Sequence, residues 1–60
     1  MVDTFVDGKE YRLKASGLRF RVVTQWMGCV TVEFLDLQAH ERIAVMFGDL
    51  RDAAEEITSK

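Results

Sequence analysis

At Tyr11, Leu13 and Ala15, at Leu18, Phe20 and Val22, and at Val30, Val32 and Phe34 the apolar residues fall on alternate positions, and the three runs are separated by Gly17 and Gly28. This pattern limits the fold sharply, because a slip of one residue in strand pairing carries every side chain of that strand to the opposite face. If Ser16-Gly17 forms a two-residue hairpin turn, Ala15 faces Leu18, Leu13 faces Phe20 and Tyr11 faces Val22. If Trp26-Met27-Gly28 is a three-residue loop with Gly28 left-handed, then Gln25 faces Cys29, Thr24 faces Val30, Val22 faces Val32 and Phe20 faces Phe34. Both registers keep one face apolar.

Asp7-Gly8 is a strong turn dipeptide and predicts a further hairpin that lays Val2, Thr4 and Val6 beside Leu13, Tyr11 and Lys9 as an edge strand. After a polar loop at 36–41, the segment 42–47 returns with Ile43 opposite Phe34 and Val45 opposite Val32. The period then changes. Leu50, Ala53, Ala54 and Ile57 recur at i, i+3, i+4 and i+7, the apolar stripe of a helix, with Asp49 as its N-cap and Asp52 adding negative charge to the first turn. The expected fold is α+β: a five-stranded antiparallel β-meander, a topology that SH3-like barrels curl on themselves, with one C-terminal α-helix packed on the inner face. The strands are expected at about 2–6, 9–15, 18–25, 29–35 and 42–47 and the helix at about 49–58, in a single domain over 1–60.

A chain of 60 residues buries only roughly 60% of the surface that its unfolded form exposes, which leaves about 3–5 kcal/mol of stability without a staple. No internal staple is visible. Cys29 is the one cysteine and His40 the one histidine, so neither a disulfide nor a four-ligand zinc site can be assembled within the chain. Association with another copy or a partner would supply what the core lacks.

The same registers place Arg12 opposite Arg21 and Lys14 opposite Arg19 on the face away from the helix, with Arg42 near Leu35 on that side. Like charges directly opposed destabilise a sheet. One reading is that they are solvated and paired, Arg21 with Glu33 and Arg12 with Asp3, contributing ~0–1 kcal/mol each. The other is that Arg12, Lys14, Arg19, Arg21 and Arg42 face an anionic partner such as a nucleic-acid phosphate. The net charge of −2 offers no long-range pull on a polyanion. The outer face carries no aromatic platform for bases, so such contacts would position without reading sequence.

Val23, Leu35, Ala44 and Met46 also project outward. Val23 and Met46 beside Thr31 would form a small apolar stripe, and Trp26 and Met27 sit at a hairpin tip, either folded back on the core or available to a partner. Catalysis finds little support. Cys29 has no nearby cation in sequence and reads as a partly buried structural thiol. His40, in an exposed loop, lies roughly 23 Å away at ~3.3 Å per residue, at the far end of the strands. The four glycines are isolated turn residues, and Glu55-Glu56 point in different directions on a helix. No catalytic residue, metal site or cofactor is expected.

The start Met1-Val2-Asp3-Thr4 lacks the basic and apolar regions of a signal peptide, and no stretch approaches a membrane span, so a cytoplasmic location is expected. The function expected by elimination is a small non-catalytic protein-interaction or regulatory module acting as a homodimer, with Val23, Trp26, Met27, Leu35 and Met46 as interface residues. The alternative is a nucleic-acid-binding regulator that contacts phosphates through its basic sheet face.

Overall fold

A computed structural model describes residues 2–39 and 41–57. Its elements are β1 (Glu10–Leu13), β2 (Arg19–Trp26), β3 (Cys29–Phe34), β4 (Arg42–Met46), α1 (Phe47–Ala53) and β5 (Ala54–Glu56). They form one open antiparallel sheet in the order β4-β3-β2-β1-β5, with the helix linking the two edge strands and contacting β3, β4 and β5. The α+β class and the sequential meander agree with the sequence; the first and last segments do not.

Residues 2–6 are not a strand. The Asp7-Gly8 turn is present, closed by the Lys9 amide on the Val6 carbonyl at 3.0 Å, with Gly8 at φ 87°. Asp7, however, does not have the positive φ that a type I′ hairpin turn requires, and turns of the ordinary hand splay the flanking chain away. The segment therefore crosses the inner face, where Val2 and Phe5 are buried. The edge of β1 that it leaves open is taken by β5, in the register Tyr11 opposite Glu56, Arg12 opposite Glu55 and Leu13 opposite Ala54.

This pairing is what shortens the helix. The expected helix at 49–58 runs instead over 47–53, with Met46 as N-cap and no capping side chain, while Asp49 lies in the first turn. Leu50 and Ala54 are both buried as the stripe predicted, but Ala54 is held by the sheet. Residue 58, the expected end of the helix, lies outside the described residues, as does His40.

The core consists of the inner-facing Tyr11, Phe20, Val22, Val30 and Val32 covered by Val2, Phe5, Leu50 and Ala54. Phe20 stands at its centre, fully buried, with ring centroids 5.9 Å from Tyr11, 6.2 Å from Phe34 and 6.4 Å from Phe5. The Tyr11 hydroxyl is used as well: it accepts the Val6 amide at 3.0 Å and so ties the crossing segment to the sheet. No buried side-chain polar atom among the described residues lacks a partner.

Two expected registers are displaced by two residues. Tyr11 faces Phe20 because residues 14–17 form a four-residue loop, in which the Gly17 amide reaches the Leu13 carbonyl and the Leu13 amide reaches that of Leu18. Ser16 in a two-residue turn would need a left-handed backbone, which only Gly17 adopts here. Likewise Val45 faces Val30 and Ile43 faces Val32. An even shift preserves the face, which is why the core forms as expected.

Replacing Phe20 by alanine should cost about 3–5 kcal/mol, comparable with the whole stability of a domain this small. A urea titration followed by Trp26 fluorescence should show no folded baseline for the variant; retention of a cooperative transition would contradict the central role given to this ring.

Candidate interaction surface

Only one-half of β2 follows the expected pairing. Phe20 to Val22 pair with Phe34 to Val32 as predicted, but the register then shifts: Thr24 faces Thr31, Gln25 faces Val30 and Trp26 faces Cys29. Val23 is the extra residue of a β-bulge, and beyond it every side chain of β2 changes side. Gln25 turns to the inner side, where its amide nitrogen donates to the Phe5 carbonyl at 2.8 Å and to Asp7 Oδ1 at 2.9 Å. Trp26 consequently turns outward.

The bulge also shortens the loop. The expected three-residue loop is a two-residue turn of Met27-Gly28, with φ 49° and 78°, both left-handed as in a type I′ turn. Asn, Asp or Gly is the usual first residue of such a turn; a methionine there costs roughly 1–2 kcal/mol. It is the one described residue other than glycine at positive φ.

Trp26, Cys29 and Met46 are aligned in one row across β2, β3 and β4, because Cys29 faces Trp26 on one side and Met46 on the other. Trp26 is 74% exposed, Met46 65% and Met27, at the adjoining turn, 83%. Trp26 is therefore not folded back on the core. Cys29 lies exposed between the two large side chains, contrary to the expectation of a partly buried thiol. Around the hairpin end, Gln25, Trp26, Met27, Gly28, Cys29, Val30 and Phe47 line an open depression of about 330 Å³. The structure thus gathers Trp26, Met27 and Met46. It leaves Val23 half-buried at the bulge and places Leu35 beyond the opposite end of β3, where its amide donates to the Arg19 carbonyl.

The five basic residues have a different environment from the one their sequence positions suggested. Arg12 faces Arg19 rather than Arg21, and each is answered by an acid: Arg12 Nε donates to Glu55 Oε2 at 2.7 Å, and Arg19 donates to Asp36 from Nε, from a terminal nitrogen at 2.8 Å and from its backbone amide at 2.9 Å. Glu33 lies between Arg21 and Arg42, at 3.3 and 3.9 Å. The pairing of Arg21 with Glu33 agrees with the sequence; that of Arg12 with Asp3 is replaced by Glu55, which reached it by entering β5. Lys14, in the loop after β1, has no ion-pair partner among the described residues. Two rows thus cross the outer face, Glu10-Arg21-Glu33-Arg42 with alternating charge and Glu55-Arg12-Arg19-Asp36 with its acids at the ends.

The hydrogen bonds from the Arg19 side chain and backbone hold the Asp36 carboxyl below its ordinary value, and the same contact raises Arg19. A carboxyl whose value is depressed on folding stabilises the fold above its unfolded value, about 4, and that contribution is lost as pH falls through the folded value. The expected outcome is that Asp36→Asn lowers the melting temperature at neutral pH and that the difference from the wild type shrinks as pH falls below the ordinary carboxylate range. A difference independent of pH would show that the carboxylate charge is not what Arg19 holds.

Among the described residues no group of three or more metal-ligating side chains is assembled, and no helix is long and apolar enough to cross a membrane. No protein-family profile matches the chain, and no curated protein or solved structure matches it significantly.

Proposed function

We propose that the protein is a small non-catalytic interaction module of the cytoplasm that binds another protein chain through the hairpin end formed by Trp26, Met27, Cys29 and Met46, and that it works as a homodimer. The observation that carries this reading is Met27, a large apolar side chain 83% exposed on a strained left-handed backbone. Stability alone favours a small polar residue there, and departures from local preference are characteristic of functional positions. The neighbouring Trp26 adds the side chain most enriched at binding hot spots. Methionine adds a flexible, polarisable contact. An exposed, unpaired Cys29 suits a reducing compartment.

The reading makes opposite demands on stability and binding. Met27→Asn should stabilise the protein by about 1 kcal/mol, because asparagine tolerates the left-handed backbone. Trp26→Ala should leave the melting temperature nearly unchanged. Both variants should lose the proteins that cross-link to wild-type chain in cell extract. If the cross-linked set is unchanged by either substitution, the hairpin end is not the contact surface.

A phosphate-binding sheet face is the competing possibility, and the ion pairs weigh against it. Four of its five cations already face carboxylates, so few counterions remain to be released from a polyanion. Fluorescence anisotropy with labelled single-stranded and duplex DNA and RNA should show no binding that strengthens as salt is lowered; affinity falling steeply with salt would favour the phosphate reading.

A further inference from the structure

The two edges of the open sheet are built differently. The β5 edge is three residues long and carries Glu55 and Glu56, charges of the kind that keep an edge from accepting another strand. The β4 edge runs five residues, Arg-Ile-Ala-Val-Met, with no proline, lysine or bulge, and among the described residues nothing pairs with it. Its one charge, Arg42, lies on the outer face near Glu33.

The hydrogen-bond parity of β4 is fixed at both ends. The Phe34 amide donates to the Glu41 carbonyl and the Phe47 amide to the Gly28 carbonyl, so the odd-numbered residues between them bond to β3. The amides and carbonyls of Arg42, Ala44 and Met46 therefore point away from the sheet. These are the groups that a further antiparallel strand would use.

We propose that the protein dimerises through this edge, β4 pairing antiparallel with β4 of a second copy about a two-fold axis at Ala44. This rests on the reading of the chain as a self-associating module and names the surface that does it. In this register Ala44 exchanges both backbone hydrogen bonds with its counterpart, and Arg42 does so with Met46 of the other copy, about six bonds in all. Arg42 then meets a methionine and not another arginine. Ile43, 44% exposed on the inner side, comes opposite Val45 at the closer, non-hydrogen-bonded spacing of about 4.5 Å between Cα atoms. A register displaced by two residues toward the start of the strand would set Arg42 against Arg42, which like-charge repulsion disfavours. The self-pairing register is thus selected by charge and by apolar contact together.

Because Ala44 faces itself, its substitutions test the register directly. Ala44 is exposed on an edge strand, so Ala44→Lys and Ala44→Glu leave the core untouched. Light scattering should give the wild type at twice the 6.9 kDa chain mass, each variant alone at the single-chain mass, and an equimolar mixture of the two variants at twice that mass again. In the unmodified protein, a sample mixed from isotope-labelled and unlabelled chains should show an intermolecular nuclear Overhauser contact between the Hα atoms of Ile43 and Val45. A wild-type monomer at millimolar concentration, or dimers formed by each Ala44 variant alone, would overturn the proposal. A dimer abolished by Trp26→Ala and indifferent to Ala44 would overturn it too, while leaving the hairpin end as the interaction surface. Failure of Trp26→Ala and Met27→Asn to alter cross-linking, with Ala44 behaving as expected, would have the reverse meaning.

Discussion

The inner face of this sheet is held by a run of rings around Phe20, and the rest of the structure follows from the need to cover it. Tyr11 and Phe34 lie on the flanking strands, and Phe5 reaches across from the segment before β1. A single layer of strands exposes such a face to water, and the short α1 reaches only part of it. The chain before β1 therefore serves as covering material instead of as a strand, with Val2 and Phe5 buried and Tyr11 hydrogen-bonded to Val6. With that segment occupied, the β1 edge becomes available, and the residues after α1 pair there. One core requirement thus accounts for both departures from a simple meander.

The electrostatics of the outer face depend on the same rearrangement. Glu55 would have pointed to solvent from a helix; in β5 it stands opposite Arg12, beside the Arg12-Arg19 pair that otherwise sets two like charges side by side. Asp36 answers Arg19 from the other end, with hydrogen bonds to both side chain and backbone. Individually, exposed pairs of this kind contribute little, because solvent screens them. Their collective effect is to leave the sheet face close to neutral, so that the exposed apolar hairpin end is its most distinctive feature.

The sequence was informative where a period-two pattern was long enough to define a face. Phe20, Val22, Val30 and Val32 are assigned to the core by alternation alone, and a two-residue displacement at either neighbouring strand leaves that assignment intact because parity is unchanged. It was uninformative where the outcome depended on competition between segments. Val2, Val6 and the turn at Asp7-Gly8 suit a hairpin locally, since Asp-Gly meets the left-handed requirement of its turn, and nothing local argues against it. Ala54-Glu55-Glu56 has a poor strand composition, and nothing local shows that an open edge will recruit it. Trp26 and Met27 were legible as tip residues, but their row with Cys29 and Met46 was not. Val22 and Val23 are both good strand residues, and a bulge at Val23 leaves no mark in composition.

That bulge gives chain length a role usually held by side-chain chemistry. Beyond Val23 the residue numbers run out of phase with the first half of the strand, so Trp26 is outward because the bulge absorbs one residue and not because tryptophan avoids this core. A deletion of that single residue would leave Thr24, Gln25 and Trp26 opposite Thr31, Val30 and Cys29 in an unbroken ladder, with Trp26 still outward and Gln25 still on the inner side. The bulge is therefore a buffer: strand length can change by one residue at this point while Trp26, Cys29 and Met46 keep their common row on the outer face.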